Sequence, residues 1–182
     1  MTKTSILRSI ERIFNVLEVS GIAVMLFLAF AFQIILHELP CPLCLLQRLG
    51  FLGVAFGFLL NLRFGLRPSH YAVSLFSAMF TSFVALRQIA LHVIPGTGAY
   101  GDAVFGLHLY TWSFIISMVI IVTTILMMGF DRQYHNHVNN HKHFKKLTNV
   151  CFAVIVLLIV AIIFSVALEC GLSECPDNPL SY

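Results

Sequence analysis

The sequence predicts an all-α membrane protein: one domain, folded as a compact bundle of five transmembrane helices. Three observations predict it. The 182 residues are 59% hydrophobic and only 10% charged, where soluble domains carry about 25% charged residues. The apolar residues fall into five runs, roughly 16–36, 43–62, 71–94, 107–128 and 150–168, each near the ~20 residues of helix that a ~30 Å bilayer core requires. Nine of the 11 Lys and Arg residues (Lys3, Arg8, Arg12, Arg63, Arg67, Arg132, Lys142, Lys145 and Lys146) lie in alternating gaps between those runs. With a net charge of +3 and no broad basic face, the chain has no nucleic-acid surface to offer.

The first run is almost free of charge after Glu18. It is longer than the ~7–15-residue apolar core of a secretory leader. No small-x-small cleavage site separates it from Cys41, so it is expected to be a retained signal anchor. The second run carries Arg48. The third carries Arg87, with Gln88 and His92 one helical turn apart. The fourth opens on Leu107-His108-Leu109-Tyr110-Thr111-Trp112, an aromatic cluster suited to the headgroup level. The fifth is rich in Val, Ile and Leu and uncharged. Short gaps predict antiparallel neighbours.

Basic residues favour the cytoplasmic side of a membrane protein. The three basic segments therefore predict an N-in, C-out topology. The opposite side receives the gap at 37–42, the gap at 95–106 and the tail 169–182. Among them these hold Glu38, Asp102, Glu169, Glu174 and Asp177, and no Lys or Arg.

Of the five cysteines, Cys41, Cys44, Cys170 and Cys175 all fall on that outer side. Disulfides persist outside the cytoplasm. Cys151 falls at the cytoplasmic end of the fifth run and is expected to be a small packing residue. Cys41-Pro42-Leu43-Cys44 closes too short a loop to stabilise much through chain entropy. Its spacing suits a reversible disulfide whose first thiol is acidic. The alternatives are a structural bridge, or a zinc site completed by Cys170 and Cys175. That second pair is either a clip on the tail or an exchanging disulfide, and Gly171, Ser173 and Pro176 predict turns around it.

Arg48 lies one turn beyond Cys44, about 6 Å along the helix axis, and so on the same face. It either snorkels to the headgroups or holds an anionic or carbonyl-bearing ligand beside the thiols. Gln47 either donates a further hydrogen bond there or faces another helix. Arg87, Gln88 and His92 either join helices in the bundle interior or line a pocket with Arg48. His135, His137, His141 and His143 are expected to form a solvated cytoplasmic loop, and no metal site is assigned.

The motif Cys41-x-x-Cys44-x-x-Gln47-Arg48, opening the second span after a first apolar span, resembles the DsbB family of bacterial membrane thiol oxidases. The likeness covers about residues 10–130, and Gly106–Trp112 is similar to a segment of some members. It implies a four-helix core to which this chain adds a fifth span, in the bacterial inner membrane. It also implies an enzyme that reoxidises a periplasmic DsbA-like thioredoxin-fold oxidase and passes electrons to a quinone, ubiquinone or menaquinone. Cys41 and Cys44 become the quinone-proximal pair and Arg48 a quinone contact. Gln47 belongs to the motif, and Arg87 and His92 match by position in the third span.

The best-known members carry their second pair in the loop between spans three and four. Residues 95–102 hold no cysteine here, so Cys170 and Cys175 are expected to take that role. Proteins similar to vitamin K epoxide reductase carry the C-x-x-C late in the chain, whereas here it comes first. From another class, the four outer cysteines would serve a non-catalytic metal- or partner-binding protein. The topology predicts that a membrane-impermeant thiol reagent labels the reduced tail cysteines in intact cells. Labelling only after lysis would reverse the orientation.

Overall fold

The computed structural model describes residues 3–35, 40–93, 103–130, 134 and 142–171. It is all-helical among those residues, with α1 (Lys3–Ile35), α2 (Pro42–Phe64), α3 (Pro68–His92), α4 (Leu109–Met128) and α5 (Lys142–Cys170). Each contains a stretch long and apolar enough to cross a membrane. Two boundaries differ from the sequence reading. The first helix begins near the N-terminus, well ahead of its apolar stretch from Glu11. The last continues through Cys170, so Glu169 and Cys170 belong to α5 and not to a turn-rich tail.

Local chemistry sets the starts and stops. Pro42 and Pro68 each open a helix, where a missing N–H costs nothing and φ is already helical. Gly65 closes α2 at φ 93°, donating its N–H to the Asn61 carbonyl. Residues with a Cβ rarely adopt that conformation. Before α4, Val104 and Leu107 pair across a two-residue turn, with Phe105 at φ 53° and Gly106 at φ 80°, the positive-φ pattern of a type I′ turn. The Trp112 indole donates to the Val104 carbonyl at 2.9 Å and ties this turn to the first turn of α4.

In the bundle, α3 packs between α2 and α4, while α1 and α5 pack against α2 and against each other. The closest crossing is α2 on α3. Gly50, Gly53 and Gly57 of α2 face Thr81, Ser77 and Ser74 of α3, the small-residue contact by which membrane helices approach backbone to backbone. The Ser74 hydroxyl donates to the Val54 carbonyl at 2.9 Å across this seam. On α5 the buried residues Cys151, Ile155, Leu158 and Ser165 mark one face at spacings of three, four and seven, and that face meets α1 and α2. Phe76, Phe83 and Leu157 point outward and are well over half exposed, as expected of side chains solvated by lipid.

Polar contacts identify the two ends of the bundle. At one, the Asn15 amide donates to the Tyr71 hydroxyl and the Asn61 amide to Asn15, joining α1, α2 and α3. Arg63 reaches Asn149 at the start of α5 at the same end. The opposite end carries Cys41, Cys44, the C-terminal part of α1 and the C-terminus of α5. A methyl group added to Gly57 meets the His70 carbonyl and the Ser74 amide, each at 2.7 Å. Gly57→Ala should therefore cost about 1–3 kcal/mol through overpacking, read as a lower melting temperature in detergent. Gly21→Ala, with open space around the new methyl, should not lower it.

Candidate active site

Cys41 sits at the N-cap of α2 and is joined to Cys44 by a disulfide. Its sulfur accepts a hydrogen bond from the Cys44 backbone N–H at 3.1 Å. After reduction, a thiolate at this position lies at the positive end of the helix dipole, an environment that favours the charged form of a thiol. A second donor comes from α3. The Gln88 side-chain N–H2 lies 3.3 Å from the Cys41 sulfur and 3.5 Å from the Cys44 sulfur. Its orientation is fixed because Gln88 Oε1 already accepts from Gln47 Nε2 at 2.6 Å. Both glutamines are almost wholly buried, and each finds a partner in the other.

One turn along α2, the Arg48 guanidinium turns toward α1. Its Nη1 donates to Gln33 Oε1 at 2.7 Å and its Nη2 to the Ala29 carbonyl at 3.2 Å. Ala29 and Gln33 are four residues apart and therefore share a face of α1. Gln33 is anchored in turn, donating from Nε2 to the Ser165 hydroxyl of α5 at 2.6 Å.

Cys44, Gln47, Arg48, Gln33 and Gln88 all border one cavity of about 500 Å³. The rest of its wall is mostly apolar, from Met25, Leu26 and Phe32 of α1, Phe51 of α2, and Leu109, Trp112 and Ile116 of α4. An apolar pocket with a few convergent polar groups is the usual form of a small-molecule site. Val24, Leu28 and Phe105 also line it while being largely exposed, so the cavity is continuous with the outer apolar surface. Further along the bundle, beyond the lining residues, α1 and α4 are joined by the Thr123 hydroxyl donating to Glu18 at 3.2 Å.

Residues 11–99 match the model of the DsbB family, disulfide bond formation protein DsbB. Over this segment the chain is similar to the DsbB family. The match covers the C-x-x-C motif, Arg48, α1 from Glu11 onward, α2 and α3, and the five membrane-length helices agree with it. It supports a multi-pass membrane protein of disulfide bond formation. No curated protein and no solved structure matches the chain.

The remaining residues singled out in the sequence of this DsbB-like protein divide clearly. Arg87 lies on an exposed face of α3 and does not border the cavity. Its neighbour Gln88, about 100° round the helix, does. His92 stacks on Tyr110 with ring centroids 5.5 Å apart, and His108 stacks on the same ring at 5.3 Å. Tyr110 lines the cavity, so His92 stands behind its wall. Cys170 is buried and disulfide-bonded at the end of α5. Cys175 and the tail beyond Gly171 lie outside the described residues, as do the side chains of His135, His137, His141 and His143. Gln33 escaped the sequence reading, because one polar residue in a long apolar run reveals no partner. The Cys41 and Cys44 sulfurs are bonded to each other and offer a metal no thiolate in this state.

Gln88 stabilises a thiolate more than it stabilises a disulfide, since hydrogen bonds to charged groups contribute about 1.5–3 kcal/mol. In reduced Gln88→Leu protein the Cys41/Cys44 pair should therefore be alkylated at least about tenfold more slowly. The rate of iodoacetamide labelling at fixed pH measures this, and an unchanged rate removes Gln88 from the site.

Proposed function

We propose that this DsbB-like protein is a protein-dithiol:quinone oxidoreductase that reoxidises a periplasmic DsbA-like thiol oxidase and so sustains disulfide bond formation. One observation carries the reading: the Cys41–Cys44 disulfide stands at a cavity that Cys44 shares with Arg48. The family match supports the same reading. The protein belongs in the inner membrane of a bacterium, with the basic segments in the cytoplasm and the redox cysteines at the periplasmic face.

The cavity suits a quinone. Its apolar wall and opening to the outer surface fit a lipid-soluble ring and chain, and its few polar groups converge at one end. Arg48 and Gln47 would hold the ring oxygens. A bound quinone supplies an acceptor for two electrons and two protons. A DsbA-like partner, poised near about −120 mV, is itself a strong oxidant. A stronger acceptor must therefore stand behind the cysteines.

In the proposed cycle a thiolate of the reduced partner attacks a Cys170–Cys175 disulfide and forms a mixed disulfide. The partner's second thiol displaces it, so the partner leaves oxidised and the tail pair is left as a dithiol. A tail thiolate then attacks Cys41–Cys44, which restores the tail disulfide and reduces the inner pair. Each exchange moves two electrons. Cys44 borders the cavity and is the thiol that meets the acceptor. Cys41 closes on Cys44 to re-form their disulfide as two electrons and two protons leave. Arg48 would stabilise the Cys44 thiolate and hold an oxygen of the acceptor by a charge-assisted hydrogen bond. His92 acts only through Tyr110, and Arg87 serves the headgroup side of α3.

The test is turnover by purified protein in lipid nanodiscs with ubiquinone or menaquinone and a reduced DsbA-like substrate. Cys44→Ser should reduce quinone reduction to background. Arg48→Ala should raise the quinone KM about 10- to 100-fold, the worth of a charge-assisted hydrogen bond. Undiminished turnover in Cys44→Ser would sink the assignment.

A further inference from the structure

The matched segment ends at residue 99, yet the hydrogen-bond chain that holds Arg48 runs on into α5. Arg48 donates to Gln33 Oε1 at 2.7 Å, and Gln33 donates onward to the Ser165 hydroxyl at 2.6 Å. Gln33 is 1% exposed and Ser165 5% exposed, so water cannot stand in for either partner. An amide has one acceptor end and one donor end. With its N–H2 fixed on Ser165, Gln33 must present its oxygen to the guanidinium. If Ser165 were absent, the amide would be free to rotate and offer Arg48 a donor, which repels it.

A second feature of α5 points the same way. Glu169 lies four residues beyond Ser165, hence on the same face. It is within electrostatic reach of Arg48, and its two buried carboxyl oxygens accept no hydrogen bond. The C-terminal turns of α5 therefore bring a hydroxyl onto Gln33 and a carboxyl group within electrostatic reach of the arginine, and neither borders the cavity.

Resting on the function proposed above, we propose that α5 completes the acceptor site: Ser165 is a positioning residue that, by orienting Gln33, keeps the Arg48 guanidinium aimed along the cavity wall. The fifth span is then a structural part of the ligand site and not only the carrier of the tail cysteines. Ser165 touches neither the cavity nor the sulfurs, and its influence passes wholly through Gln33.

Trp112, the single tryptophan of the chain, lines the cavity, so quinone binding can be read as quenching of its fluorescence, without turnover. In nanodiscs, ubiquinone-1 should quench wild-type protein. Ser165→Ala should weaken that binding about five- to tenfold, the effect of losing one buried hydrogen bond. Ser165→Thr, which keeps the hydroxyl, should restore it. The double variant Gln33→Ala, Ser165→Ala should bind no more weakly than Gln33→Ala alone, because a residue acting through another is not additive with it. Wild-type affinity in Ser165→Ala, or additive losses in the double variant, would overturn the positioning role and leave the proposed function standing. If ubiquinone-1 and a menaquinone analogue both leave wild-type Trp112 unquenched, the quinone reading falls and this inference falls with it.

Discussion

A guanidinium inside a membrane helix must be satisfied by hydrogen bonds or leave, and Arg48 stays. On insertion scales such a charge costs about 2.5–3.5 kcal/mol at the centre of a helix. The donors of Arg48 are met by α1, through the Ala29 carbonyl and the Gln33 side chain. These two acceptors exist only where α1 runs close beside α2 and turns one particular face toward it. Gln33 in turn is held by Ser165. A single cation thus constrains the placement of three helices. The cavity lies along the side of α2 from which the same residue emerges, which gives that packing its functional sense.

The disulfide depends on a different contact. Gln88 can reach both sulfurs only because α3 lies unusually close to α2, and it lies close because the facing positions of α2 are glycines. A bulkier seam would lift α3 away and part the buried Gln88 amide from both sulfurs and from Gln47. The two devices are independent in origin. Small residues bring α3 to the sulfurs, and a buried charge brings α1 to the arginine. They converge because Cys44, Gln47 and Arg48 stand at i, i+3 and i+4 of one helix and so share a face.

Much of this was legible in the sequence, because the bilayer makes hydropathy and charge position decisive. Five spans, their alternation and the shared face of Cys44 and Arg48 all follow from run length and helical period. Choosing between Arg87 and Gln88 was harder. Adjacent residues on a helix differ by 100°, and no local pattern says which one faces a partner. Charge drew attention to Arg87, whereas the neutral amide is the residue that points inward. Gln33 and Ser165 were illegible for a related reason. Each is a solitary polar residue in an apolar run, and their pairing across 132 positions is a fact of tertiary packing. The end of α5 was misplaced because Glu169 and Cys170 read as polar and turn-prone. In the structure the α5 helix continues through both of them and brings Glu169 within electrostatic reach of Arg48.

The cavity also explains why such chemistry is housed in a membrane at all. Its outer end lies between α1 and α4, and these are joined further in by Thr123 and Glu18. The opening therefore faces sideways, among Val24, Leu28 and Phe105, side chains that a soluble protein would have to cover. An apolar ligand that arrives by lateral diffusion in lipid meets no polar barrier there. It reaches Arg48 and Cys44 without crossing water. On the proposed function, a soluble thiol protein would approach from the other direction, at the end of the bundle where Cys41 caps α2. The C-x-x-C pair stands where the two routes meet. Placed a turn deeper it would be closed to the aqueous partner, and placed in the preceding loop it would lose both the N-terminal end of α2 and the wall shared with Arg48.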